Sequence, residues 1–302
     1  PFLTLVKTVT NDNGGTATVS SFTLSAAGPS TISGTSGSGT VTNAAVNVGT
    51  YALSESGPTG YTASAWTCVG GSQSGSNITV ALGQNITCTI NNNDTAPRLT
   101  LVKTVTDTSG GPSTVSSFVL SANGPVVITG TTGSSSVTNA AVNVGTYALS
   151  EIQLSGYRAD SWSCTGGSLS GTNLTLALAE TATCTINNVK LPTLVIAKVS
   201  NGGTDAFNFT GTNGIPNQTI TSASAGVAQN GSPAILTAEN TATDVTEVLG
   251  VGATWALQSA SCTGMGTGGA AVLTGNTLSL NAAATAAGRN ITCTLTNLKL
   301  VP

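Results

Sequence analysis

Val41 to Glu55 reads VTNAAVNVGTYALSE, and Val137 to Glu151 reads the same fifteen residues 96 positions later. Working outward, LTLVKTVT recurs from Leu3 and Leu99, and CTINN from Cys88 and Cys184, at the same spacing and without insertion or deletion. A diverged third copy follows: TLVIAKV carries Lys198, and ITCTLTN from Ile291 to Asn297 answers ITCTINN from Ile86 to Asn92. The third copy is longer, with extra residues around Ala223 to Glu239. An internal repeat of this length makes each copy one folding unit. The expected modules are residues 1–96, 97–191 and 192–302, each opening at a proline (Pro1, Pro97, Pro192) shortly before a lysine-bearing strand.

Inside a module, short β-branched runs alternate with Gly, Asn, Asp and Ser turns, which is the pattern of half-buried strands. In the first module they lie near Leu3–Thr10, Ser20–Ala26, Thr31–Gly34, Thr40–Val48, Thr50–Glu55, Tyr61–Cys68 and Ile78–Asn92, the last stretch dividing into two. About seven strands in roughly 100 residues suit a two-sheet sandwich. The expected fold is therefore all-β: three tandem seven-stranded Ig-like sandwiches, joined by short linkers into a rod.

Composition narrows the function. Only 6% of the 302 residues are charged, histidine is absent and the net charge is −3, which leaves no basic footprint for nucleic acid. No apolar run approaches the roughly 20 residues of a membrane-spanning helix. The 39% apolar content, gathered in strand-like runs, argues against disorder. No triad, phosphate-cradling loop or metal set is legible, so neither a cofactor nor enzyme activity is expected. The chain starts at Pro1 without a leader and is read as a mature product or an excerpt. Leu191-Pro192-Thr193 begins like a sorting signal, but Leu194 does not continue it.

Each copy owns two cysteines at equivalent places: Cys68 and Cys88, Cys164 and Cys184, Cys262 and Cys293. Two thiols without histidine make a poor zinc set, and no CxxC is present. One disulfide per module is the expectation, and with it an oxidising, extracellular compartment. Trp66 and Trp162, each two residues before a cysteine, are expected to pack on the disulfide, and Trp255 falls at the position of Tyr61 and Tyr157.

Three of the five lysines sit at one repeat position, Lys7, Lys103 and Lys198. Three of the eleven acids also recur in register, Glu55, Glu151 and Glu247, and each last strand ends on an asparagine, Asn92, Asn188 and Asn297. Tyr51-Ala52-Leu53-Ser54-Glu55, followed by Gly57-Pro58-Thr59-Gly60-Tyr61, resembles the YxLxE…PxGY signature of Cna protein B-type (SpaA-like, prealbumin-like) domains of bacterial surface adhesins and pilins. The second copy keeps Ser155-Gly156-Tyr157 without the proline, and the third has Thr243 in place of Tyr51 and lacks PxGY.

The resemblance implies an intramolecular isopeptide bond between the first-strand lysine and the last-strand asparagine, assisted by the glutamate. The implied sets are Lys7, Glu55 and Asn92; Lys103, Glu151 and Asn188; Lys198, Glu247 and Asn297. Burial supplies a reason, because it favours a neutral amine able to attack and a protonated carboxyl able to relay the proton. Plain alternatives exist: an edge-strand gatekeeper lysine, a salt bridge and a strand-end turn residue.

Asn11-Asp12-Asn13-Gly14-Gly15 faintly suggests a calcium loop but is too short, and a hairpin turn is expected there and at its counterpart from Asp107 to Gly111. Sequons such as Asn77-Ile78-Thr79 and Asn173-Leu174-Thr175 are expected by chance. The expected role is structural: the stalk of an adhesin or a repeating subunit of an extracellular bacterial fibre. Partners would be further copies or modules, end to end. The alternative is a module binding glycan or matrix protein through the extra segment of the third copy.

Overall fold

The computed structural model describes residues 1–107, 114–250 and 253–300. Six five-stranded sheets form three tandem sandwiches. In the first, one sheet runs Ala44–Ala45, Phe2–Thr10, Asn85–Asp94, with Tyr61–Ala63 and Thr67–Val69 both pairing the far side of the last strand. The facing sheet runs Ile32–Gly34, Thr23–Ala27, Gly49–Ser56, Asn77–Val80, Ser72–Ser74. The second sandwich repeats this order strand for strand. The Cα trace gathers into two compact units, Pro1–Val102 with Val119–Glu151 and Trp162–Thr185, and Lys103–Phe118 with Ile152–Ser161 and Ile186–Pro302. The second sandwich contributes to both.

Each sheet has five strands, of two to ten residues in the first module, so the expected seven per module is approximate. The backbone breaks runs that looked continuous. Thr40–Val48 shrinks to Ala44–Ala45 because Asn43 turns the chain in the left-handed region, at φ 51°. Tyr61–Cys68 divides into two strands, and Ser72–Ser74 adds a hairpin arm behind the positive-φ glycines Gly70 and Gly71. The Asn11–Gly15 segment is not a hairpin turn: it leaves Phe2–Thr10 for Thr23–Ala27 in the opposite sheet, through a single 3-10 turn at Val19–Ser21. Most of its counterpart in the second module lies outside the described residues.

Alternation fills the core. Leu3 and Leu5 on the first strand, Tyr51 and Leu53 in the facing sheet, and Ile86, Cys88 and Ile90 on the last strand all point inward and are buried. Every residue of this core lies between Leu3 and Ile90. The first and last strands are parallel neighbours, with Lys7 opposite Ile90 and Val9 opposite Asn92.

The third sandwich keeps the plan: Thr193–Asn201 lies parallel to Asn290–Lys299, with Lys198 opposite Leu295. Its extra segment supplies two short strands, Gln229–Asn230 and Ala234–Ile235, which pair along Thr193–Asn201 and extend that sheet. Trp255 does take the tyrosine position: it pairs with Lys299 at the strand end, as Tyr61 pairs with Asp94 and Tyr157 with Lys190.

Cys68–Cys88, Cys164–Cys184 and Cys262–Cys293 are disulfide-bonded, each between directly opposed residues of the last strand and its antiparallel neighbour. Trp66 is buried in the core against which Cys68 packs. The first bridge closes a span of 20 residues, worth about 3 kcal/mol on loop-closure entropy. Replacing both Cys68 and Cys88 by Ala is expected to lower the first module's opening free energy by that amount. Hydrogen exchange read by mass spectrometry on peptides covering residues 67–94 checks it, since this reports one module and not the whole chain.

Candidate functional site

The site is the polar end of three apolar stripes. On the first strand the inward positions run Leu3, Leu5, Lys7; in the facing sheet Tyr51, Leu53, Glu55; on the last strand Cys88, Ile90, Asn92. Asn92 stands two residues beyond the partner of Lys7, so a period-2 strand turns both side chains to the same face. Asn91 faces the other way and takes hydrogen bonds from Thr8 and Thr10. The register thus puts Asn92, and not its neighbour, on the face of Lys7.

Lys7 and Asn92 are 3% and 4% exposed. The Lys7 Nζ donates to Glu55 Oε2 at 2.7 Å and contacts Asn92 Oδ1. Burial pulls the Lys7 pKa below its usual value, against the raising effect of its hydrogen bond to Glu55 and of that carboxylate's charge.

The third module repeats the set at full burial. Lys198 Nζ lies 3.2 Å from both carboxylate oxygens of Glu247 and contacts Asn297 Oδ1, while Asn297 Nδ2 donates to Glu247 Oε1 at 2.7 Å. Burial lowers the Lys198 pKa and raises that of Glu247, each against the opposing pull of its partner. Glu247 therefore touches both the amine and the amide nitrogen. In the second module Lys103 and Asn188 are likewise buried, on neighbouring first and last strands, and Glu151 ends the Gly145–Glu151 strand.

An aromatic ring that the sequence reading left out closes the site. The lysine ammonium lies 4.6, 4.8 and 4.4 Å from the ring centroids of Phe22, Phe118 and Phe207. Those rings are held edge-on by Tyr61, Tyr157 and Trp255. The signal was available, since the chain has only five phenylalanines and SSF recurs at Phe22 and Phe118.

Family models match all three sandwiches. The model of a prealbumin-like fold domain of SpaA type matches residues 1–90 and 94–186, and a second model of the same description and type matches 194–299. The chain belongs to the SpaA-like prealbumin-fold domains. No curated protein is detectably similar to it in sequence. Among solved structures, the SpaA-like chain aligns over 98% of its length with 51% of the Bacillus anthracis TIE protein, at 15% identity and TM-score 0.41. It aligns over its whole length with 44% of the pilus adhesin SpaC from Lactobacillus rhamnosus GG, at 11% identity and TM-score 0.27. With the major pilin from Streptococcus pyogenes the alignment takes in 69% of this chain and 100% of that one, at 14% identity and TM-score 0.27. The chain spans about half the length of the TIE protein and less than half of SpaC.

Just past the asparagine, the strand end is anchored by charge. The buried Asp94 carboxylate accepts from the backbone N–H groups of Asp12, Asn13 and Gly15 and from Asn13 Nδ2, at 2.7–3.1 Å. Burial alone would raise its pKa, but these donors together hold it below 3.8. The backbone N–H groups of the loop thus converge on a carboxylate. The anchoring is present above pH 3.8 and is lost as pH falls through the lower folded value. Asp94→Asn at neutral pH, or acid on the native chain, is expected to lower the protection of the Asp12, Asn13 and Gly15 amides, relative to the free-peptide rate at the same pH, by about tenfold or more, measured by NMR.

Proposed function

We propose that the chain is a structural, non-catalytic part of a bacterial surface pilus or adhesin, exposed outside the cell, in which each module is locked by a Lys–Asn isopeptide bond. The bonds join Lys7 to Asn92, Lys103 to Asn188 and Lys198 to Asn297, assisted by Glu55, Glu151 and Glu247. The observation that carries this reading is the buried Lys198–Glu247–Asn297 set, in which one carboxylate touches both the attacking amine and the departing amide nitrogen. Three disulfides fit an oxidising exterior.

The step balances without a co-reactant. The lysine passes a proton to the glutamate, and the neutral amine attacks the asparagine Cγ. The glutamate delivers that proton to Nδ2 and takes a second one from the attacking nitrogen, the Cγ–Nδ2 bond breaks, ammonia leaves, and the new amide keeps one hydrogen while the glutamate ends protonated. Apolar burial favours the neutral pair over the ion pair, which is the state the attack needs. In the first module the bond would span 85 residues, worth about 4–5 kcal/mol on loop-closure entropy.

Intact mass of the native protein, before and after reduction, tests the proposal. The expected result is three ammonias lost, insensitive to reductant, with two hydrogens gained per disulfide on reduction. Glu247→Ala should restore one ammonia, mapped to the peptides carrying Lys198 and Asn297. A full unmodified mass sinks the cross-links and leaves a disulfide-stapled surface protein.

The rate of bond formation should show a plateau against pH. The ion pair and the neutral pair hold the same number of protons, so their ratio does not change with pH while the pair carries one proton. Acid adds a proton to the carboxylate and leaves an ammonium; alkali removes the one to be relayed. Because Glu247 is shifted up from 4.5 and Lys198 down from 10.5, both limbs should fall inside that interval. Timed mass spectra of chain freshly made by cell-free synthesis and jumped to each pH check this; a rate climbing steadily to pH 10.5 would contradict it.

A second reading keeps one observation. A groove of about 490 Å³ on the third module is lined by Gln218, Gln229 and Asn230 among other residues, which suits a glycan or matrix ligand. Loss of glycan-array binding in a chain lacking Ala223–Glu239 would favour it.

A further inference from the structure

The joint between the first two modules is built from a few residues. Val144 N donates to Asn13 O at 2.9 Å, and Ala179 N to Thr95 O at 2.8 Å. Leu178 lies on Gly60 so closely that a Cβ added there would fall 2.5 Å from the leucine Cβ. A glycine at Gly60, with φ 83°, is what lets the two backbones meet.

The repeat places the same surface on the first module. Ninety-six residues earlier, Val144, Leu178 and Ala179 become Val48, Leu82 and Gly83. There the leucine is 86% exposed and the valine 51%, whereas Leu178 and Val144 are partly covered. Leu82 is more exposed than any other large apolar residue of the first module, and nothing in that module's own core needs it.

We propose that Val48, Leu82 and Gly83 form a docking face for a further prealbumin-like module, one that carries glycine immediately before its counterpart of Tyr61. The chemistry of the partner follows from the joint already present. It must offer two free backbone carbonyls, as Asn13 and Thr95 do, and a Cβ-free backbone where Leu82 lands. The third module of a second copy does not meet this. Its residue at the Gly60 place is Thr254, placed there because Leu300 N donates to Thr254 O as Thr95 N does to Gly60 O and Leu191 N to Gly156 O, all at 2.8 Å. A threonine side chain would occupy the space that Leu82 needs. The face thus selects a module of the first-repeat kind and rejects head-to-tail contact with this chain's own third module. The inference stands apart from the cross-links.

Amide hydrogen exchange at Val48 and Gly83 tests it, because their counterparts Val144 and Ala179 are the donors of the joint. The native chain is compared with one in which a second copy of residues 1–96 is joined ahead of Pro1, so that Ala96 runs into Pro1 as it runs into Pro97. In the native chain both amides should exchange freely at every concentration. In the extended chain they should slow by about tenfold or more, to the rates of Val144 and Ala179. Leu82→Asp in the native copy, an exposed site that leaves the fold alone, or Gly60→Ala in the added copy, should restore free exchange. Core amides of each module report that the variants remain folded. Three results would overturn the proposal: no slowing in the extended chain, slowing that survives both substitutions, or protection that grows with concentration of the native chain alone. The last would mean that the Thr254 end serves and glycine is not required.

Discussion

The first and last strands of a module come from opposite ends of its sequence, yet they lie side by side and parallel in the middle of one sheet. Neither can be supplied by a local hairpin, since parallel neighbours need a crossover. Here the crossover takes in the whole facing sheet and three short strands of the same sheet. The pairing fixes the register of everything else: it sets Leu3, Leu5 and Lys7 against Ile86, Cys88, Ile90 and Asn92 on one inward face, and it seats the disulfide on the far side of the last strand. A slip of one residue would turn Asn92 out and Asn91 in, and would bury the threonine-facing side of the sheet. The strands thus place lysine beside asparagine for the same reason that they build a core.

Burying a lysine in a chain with so few charges needs compensation. The ammonium has one carboxylate, one amide oxygen and a ring face within reach. Desolvation remains the largest influence on Lys7 and Lys198 even so. A buried ion pair of this kind contributes little net stability against an apolar replacement. Its retention in register across diverged copies therefore asks for a role other than holding the fold, and covalent capture of the pair would remove both charges at once.

Much of this was legible from residues alone, because a near-identical repeat makes positions comparable. The modules, the cysteine pairs and the lysine, glutamate and asparagine columns all follow from reading the copies against one another. The family resemblance then gave the columns a shared chemistry. What was hidden depended on backbone turns and on the opposite sheet. Strand count was approximate where Asn43 and paired glycines bend runs that look continuous. The Phe22 column was missed because its ring meets Lys7 across the sandwich, a contact no spacing encodes. The extra segment of the third copy reads as a loop in sequence, but its Gln229–Asn230 and Ala234–Ile235 find partners along Thr193–Asn201.

Divergence among the copies also shows which features the fold can exchange. Asp94 at the end of the first module's last strand becomes Lys190 in the second and Lys299 in the third. Each reversal is met on the opposing loop: backbone N–H groups and Asn13 surround Asp94, Asp107 lies 3.3 Å from Lys190, and the Lys299 charge acts on Asp205, which also accepts from Trp255 Nε1. The sign at this place is free, but its neutralisation is not, because the strand end carries the asparagine two residues earlier. The Lys–Glu–Asn columns do not swap in this way. The strand-end charge changes sign with its partners, amide N–H groups around Asp94 and a carboxylate beside Lys190, whereas the lysine, glutamate and asparagine keep their places in all three copies. One column therefore inverts beside three that stay fixed, and the fixed ones are those that turn inward at the polar end of the core.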